Sequence, residues 1–219
     1  ARAAIDHLND LVKTASIDCQ WNRRGKYHAA VSPRGRAEVL EPFARELDAL
    51  GEPYRWLDAA GLRNEVGTAH YHAAVHTPGG YLMNPAALTR GLADSLPGNI
   101  ALHEHSPVAR VSYENGVRLE TPGGSLFAPK LILATNGLAE QFGFFAGRLL
   151  VFVAFASLTR ALMPAERQAL GGVDEWGITP ANAFAGCTLR LTRDHRIMVR
   201  QHIDYRPDFR VSEAHYRRV

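Results

Sequence analysis

The sequence predicts a mixed α/β protein, an α/β layer interleaved with a second, mixed α+β layer. Three observations carry this. Segments with helical apolar spacing alternate with strand-like runs along the whole chain. Two turn signals, Glu114-Asn115-Gly116 and Pro122-Gly123-Gly124, join three alternating segments into an antiparallel meander. A continuous apolar run, Leu131 to Ala134, ends abruptly in the small polar turn Thr135-Asn136-Gly137, as a strand covered on both faces does before a helix.

Taken in order, Ile5, Leu8, Leu11 and Val12 place an amphipathic helix over residues 2 to 15. Cys19 to Val31 reads as a strand pair or a bent strand, broken at Gly25. Ser32 caps a helix with Pro33 in its first position, running to about Leu50 and stopped by Gly51. Asp58 caps a short helix, Ala59 to Val66, closed by Gly67. His70 to Thr77 alternates like a strand, Pro78-Gly79-Gly80 interrupts it, and Tyr81 to Met83 resumes it. Asn84 caps a third helix with Pro85 first, Ala86 to Leu96 filling it and Leu88, Leu92 and Leu96 as its stripe.

Strands are expected next over Ile100–His105, then in the meander Val108–Tyr113, Val117–Thr121 and Leu126–Ala128, then at Leu131–Ala134. Leu138 to Phe145 looks helical, Leu149 to Arg160 a long strand, and Pro164 to Ala169 a short helix. Phe184–Leu191 and Arg196–His202 form an expected hairpin around Thr192 to His195. Residues 217–219 look helical again, and both chain ends read as cuts through a longer protein.

The chain has 219 residues, 46% of them hydrophobic and 21% charged, an ordinary balance for a globular protein with a real core. No apolar run approaches the roughly 20 residues a membrane-spanning helix needs. No signal peptide is legible at the start, so a cytoplasmic protein with reduced thiols at Cys19 and Cys187 is expected. The net charge of +3 is mild and its basic residues are scattered, which argues against a nucleic-acid surface.

The turn after Leu131–Ala134 is the most suggestive local feature, because small residues let a phosphate or cofactor approach the backbone. His70 with His72, and His103 with His105, are spaced to share a strand face. No Asp, Glu or Cys completes either set, so no metal site is expected. No G-x-S-x-G elbow exists for hydrolase chemistry.

Gly79 to Pro85 (GGYLMNP), Pro107 to Val111 (PVARV), Leu131 to Gly137, Trp21 to Ala29 and the hairpin Leu189 to Val199 resemble, in this order and spacing, the FAD-dependent oxidoreductases of the D-amino-acid oxidase and glycine oxidase type. Within them the gamma-glutamylputrescine oxidoreductase-like branch is the nearest likeness. The resemblance implies part of an FAD/NAD(P)-binding-type layer over 1–18 and 84–148, with the β-meander. It implies a mixed antiparallel-sheet substrate domain over 19–83 and 149–219. It implies FAD contacts at Val108, Ala134, Thr135, Asn136 and Gly137, and substrate contacts at Tyr81, Met83, Arg190 and Arg200, with no general base named.

The family's G-x-G-x-x-G fingerprint does not occur in these residues. The chain is therefore expected to be an internal fragment of a flavoenzyme that oxidises the C–N bond of an amine or amino acid. It is expected to hold FAD poorly alone, and to self-associate through an incompletely covered sheet edge. The rival expectation is a non-catalytic α/β binding domain. A nucleic-acid binder is a weaker third, suggested only by the pI near 9.0.

Overall fold

A computed structural model describes residues 2–180, 186–208 and 210–216. Helix α1 spans Arg2–Thr14 and strand β1 Lys26–Ala30. The Ser32 hydroxyl accepts from Gly35 N at 3.1 Å and starts α2 (Pro33–Gly35). One π turn, Arg36–Leu40, then leads into α3 (Glu41–Ala49). The single helix expected here is interrupted because Pro42 has no N–H to give the Glu38 carbonyl. Strand β2 (Arg55–Asp58) was not expected from sequence. The Asp58 carboxylate accepts from Gly61 N at 2.8 Å to cap α4 (Ala59–Val66), which Gly67 ends in the left-handed region. Strand β3 (Ala73–Thr77) precedes α5 (Pro85–Asp94), capped by the Asn84 side chain through Ala87 N.

The meander forms as read: β4 (Arg110–Tyr113), β5 (Val117–Thr121) and β6 (Gly124–Ala128) pair antiparallel in order. The helical stretch expected over Leu138 to Phe145 is a 3₁₀ helix, Asn136–Phe142, which begins two residues earlier and ends three residues earlier. Strand β7 (Phe152–Leu158), α6 (Pro164–Ala169), β8 (Trp176–Pro180), β9 (Thr188–Leu191) and β10 (Ile197–Tyr205) follow, then a last turn α7 (Glu213–Tyr216). The expected start of the hairpin at Phe184 and the helical end at 217–219 lie outside the described residues.

The chain forms two compact units. The first comprises Ala1–Ser95, Ala154–Ile203 and Ala214–Val219, and holds a seven-stranded sheet in the order β2-β3-β1-β8-β9-β10-β7. Strand β1 pairs parallel with β8 and antiparallel with β3, so the sheet is mixed. Its register sorts side chains by face. Tyr27, Ile178 and Leu189 lie opposite one another on the rear face, which packs with Leu57, Leu62 and Val66 into the main core. The front face carries Ala30, Ala73 and Val75 under Leu40, Ala44 and Leu47 at one end. A third cluster joins Val12 of α1, Cys19 and Leu88 of α5.

The second unit, Leu96–Val153 with Asp204–Glu213, holds the meander. Two strands expected here are absent. Residues 100–105 and 131–134 belong to no ladder, and Ile132 is 90% exposed. An apolar run becomes a buried strand only when neighbouring strands take up its N–H and C=O groups. Among the described residues none does.

Candidate functional site

In the first unit, the front face of the sheet is polar toward β8, β9 and β10. The register sets Arg190 opposite both Gly177 and Met198, and Arg200 opposite Thr188. Lys26 precedes Tyr27 on β1, so it alternates onto this same face. Three cations therefore share one face: Lys26, Arg190 and Arg200. Arg200 Nη2 donates to the Thr188 hydroxyl at 3.0 Å. Desolvation of the Lys26 ammonium, and then the positive charge of Arg200, push Lys26 below its usual range. Crowded like charges of this kind suit an anionic ligand.

The segment Tyr81–Met83 crosses this face. It forms no full strand, only an isolated antiparallel bridge between Asn22 and Leu82, with mutual N–H···O bonds of 2.9 and 2.8 Å. Gly177 lets it come close, because a Cβ there would stand 3.1 Å from Leu82 Cδ2. The crossing brings the Met83 carbonyl to Arg190, whose Nη1 donates to it. Tyr81 stacks on Trp21 with ring centres 4.6 Å apart, and Trp21 Nε1 donates to Asn9 Oδ1 at 3.1 Å.

Behind Arg190 lies Glu175, whose side chain is only 5% exposed. Arg190 Nη2 stands 3.9 Å from Glu175 Oε2. Asn22 Nδ2 donates to Glu175 Oε1 at 2.5 Å, and Arg24 Nε donates to the Glu175 carbonyl at 3.0 Å. Glu175 Oε2 and Arg190 Nε, both buried, have no hydrogen-bond partner. Burial pushes the Arg190 guanidinium below its ordinary value, while the Glu175 and Asp194 carboxylates pull the other way.

On the rear face, Glu65 takes a hydrogen bond from the Tyr27 hydroxyl at 2.6 Å and two from Arg55. Burial, then Glu65, push the Tyr27 phenol up to about 12. These groups satisfy one another and have a structural role.

In the second unit, a groove of about 720 Å³ is lined by Thr135, Asn136, Gly137 and the apolar side chains of Leu149, Val151 and Val153, among others. Thr135 Oγ1 is buried without a hydrogen-bond partner, and Asn136 adopts a left-handed φ of 50°. The lining has no charged side chain. The groove thus fits an apolar or aromatic ring system with a hydrogen-bonding edge, but offers a diphosphate no counter-charge.

Three residues expected at the cofactor, Thr135, Asn136 and Gly137, come together in this groove; Ala134 and Val108 do not line it. Of the four expected at substrate, Tyr81, Met83 and Arg190 converge around the crossing segment, and Arg200 shares the sheet face. Sequence reading missed Lys26, Asn22 and Glu175. Their partners lie far away in the chain, and no local pattern marked them. His70 and His72 precede β3 and occupy no strand, so they share no strand face; His103 and His105 also stand outside strands. Among the described residues no group of three or more His, Cys, Asp or Glu side chains is placed to hold a metal, and no helix is long and apolar enough to cross a membrane.

The family described as FAD dependent oxidoreductase matches the chain over residues 1–219. Glycine oxidase from Geobacillus kaustophilus has a similar fold, with a TM-score of 0.72 at 21% identity, covering 97% of this chain and 57% of that one. Glycine oxidase from Bacillus cereus ATCC 14579 superposes with a TM-score of 0.74 at 16% identity, over 99% of this chain and 60% of that one. L-proline dehydrogenase from P. horikoshii gives 0.71 at 14%, over 97% and 58%. The chain thus spans somewhat more than half the length of these proteins. No curated protein matches it. With the family match running from its first residue to its last, the chain belongs to the FAD-dependent oxidoreductase family.

Proposed function

We propose that this chain is part of a flavoenzyme that oxidises the C–N bond of an amine or amino acid to an imine, which water then hydrolyses. The observation that carries the reading is the cationic sheet face, where Lys26, Arg190 and Arg200 share one side and Arg190 meets the crossing segment Tyr81–Met83, in a chain of this family. Residues 19–83 and 149–219 are then the substrate layer, and 1–18 with 84–148 belong to the cofactor layer.

In this reading Arg190 and Arg200 receive a substrate carboxylate, and a guanidinium held by the Met83 carbonyl keeps a fixed direction for it. Tyr81, packed on Trp21, forms an apolar wall beside the bound substrate. Thr135, Asn136 and Gly137 hold an edge of the flavin nucleotide, with the Thr135 hydroxyl supplying a hydrogen bond. A bound FAD would supply the two-electron oxidant for the hydrogen that leaves the carbon beside nitrogen, nitrogen giving up a proton as the C=N bond forms, and an external acceptor would reoxidise it. This chain's residues bind and orient the substrate; no side chain is assigned as a base.

The test is anaerobic mixing of the full-length protein with amino acids and with their decarboxylated amines, following loss of the oxidised flavin spectrum. Reduction by one of these classes, weakened by Arg190→Ala, is expected. A full-length protein that binds no flavin overturns the reading in favour of a non-catalytic binding domain. One that binds flavin but is reduced by neither class overturns the proposed substrate.

A further inference from the structure

Resting on this reading of the sheet face as a substrate site, we propose that Glu175 is its specificity-determining residue. Its buried negative charge tunes the three-cation face toward a net-neutral zwitterion and against ligands of higher negative charge. Two features of the geometry decide between this role and a merely mechanical one.

The first is distance. Glu175 Oε2 stands 3.9 Å from Arg190 Nη2, at the outer edge of an ion pair, and makes no hydrogen bond. Arg190 is held instead by its bond to the Met83 carbonyl and by burial, with 16% of its side chain exposed. The carboxylate therefore does little to fix where the guanidinium points. The second is burial. With 5% of its side chain exposed, Glu175 is held away from solvent, so the action of its charge on Arg190 and on the face that carries Arg190 is poorly screened. Asn22 and Arg24 pin it in that place.

The charge balance follows. Lys26, Arg190 and Arg200 bring three positive charges, Glu175 brings a buried negative one, and the more exposed Asp194 also acts on Arg190. A lone carboxylate gains from the cations and loses to Glu175. An amino-acid zwitterion feels both ends of that field with opposite signs and is nearly indifferent to Glu175. Removing the negative charge is therefore worth more to a ligand the more negative it is, on the order of tenfold in affinity per unit of ligand charge at 7 to 10 Å.

The experiment is calorimetric titration of the full-length protein, without oxygen and at low salt, with glycine, acetate and malonate. Glu175→Gln keeps the acceptor for Asn22 and removes the charge. Glu175→Met, apolar and of similar length, is the second neutral variant, should an uncharged amide pack badly. Thermal melting of each is recorded alongside.

The expected result is an unchanged glycine affinity, acetate tighter by about tenfold and malonate by more, all shrinking in high salt. Equal affinities in variant and wild type, with only melting changed, overturn the proposal and leave Glu175 structural. Weaker acetate binding in the variants also overturns it, since Glu175 would then be holding Arg190 in place. A wild-type protein that binds none of the three, and an equally silent Arg190→Ala, removes the site reading itself and the proposal with it.

Discussion

Asn22 donates its side-chain amide to Glu175 Oε1 at 2.5 Å, joining positions 153 residues apart. The same residue exchanges two backbone hydrogen bonds with Leu82, next to the Met83 whose carbonyl takes Arg190. One asparagine thus ties together three segments that build the sheet face. Asn22→Ala leaves a buried carboxylate oxygen without its donor and should destabilise the fold by about 1–3 kcal/mol. Urea denaturation measures this; an unchanged midpoint means that the bond adds nothing.

Gly25 has a left-handed φ of 70°, and a Cβ there would stand 2.5 Å from both His76 Nε2 and the Thr77 carbonyl. Gly171 has nearly the same φ, 71°, in open space. The pair separates backbone strain from collision. Gly171→Ala should cost about 1 kcal/mol and Gly25→Ala clearly more, since His76 and a strand carbonyl must also move. Equal losses in melting temperature would show that the site around Gly25 relaxes freely.

Thr135→Val removes a buried hydroxyl that has no partner in the chain. Replacing an unpaired polar group by a methyl should leave stability unchanged or raise it by about 1 kcal/mol. Flavin affinity of the full-length protein should fall over the same substitution. Retained affinity in the variant would remove this turn from the cofactor site.

His28 lies on the front face against Phe43, with ring centres 4.5 Å apart. Burial first, then Lys26 and His76, lower its value from 6.5 to about 4. The unfolded chain therefore takes up a proton before the folded one as the pH falls. The contribution of this histidine is whole above about pH 6.5 and is lost progressively toward pH 4, at most about 3 kcal/mol. Melting temperatures taken between pH 7 and 4 should fall, and His28→Leu should flatten the slope over that interval. A parallel pair of curves would assign the acid sensitivity to other groups.

Ile132 is 90% exposed within a run where the sequence favours burial. Ile132→Lys should alter the stability of this chain by less than about 0.5 kcal/mol. Apolar exposure of this kind promotes association, so light scattering should report a smaller mean mass for the variant than for the parent chain. Identical masses would mean that this run does not drive association.

Much of the fold was legible because the forces that set it are local. Ser32, Asp58 and Asn84 accept from backbone N–H groups three positions on, as their places before helices indicated. The meander followed from two turns whose glycines and asparagine reach backbone conformations other residues avoid. Where a local pattern needed a remote partner, it misled. Residues 100–105 and 131–134 have strand composition but no strand beside them, and the helix through Pro42 needed an N–H that proline lacks.

By itself, then, the sequence determined the capped helix starts at Ser32, Asp58 and Asn84 and the antiparallel meander, since each depends on neighbours within a few residues. It also carried the likeness to FAD-dependent oxidoreductases. Only the tertiary structure decided that Arg190 meets the Met83 carbonyl, that Glu175 lies buried behind it, and that Lys26 and Arg200 share its face. Those relations depend on strand register and on chain crossings over more than a hundred residues. A spacing pattern cannot encode them, because which charge faces which is settled only when the sheet closes and water leaves.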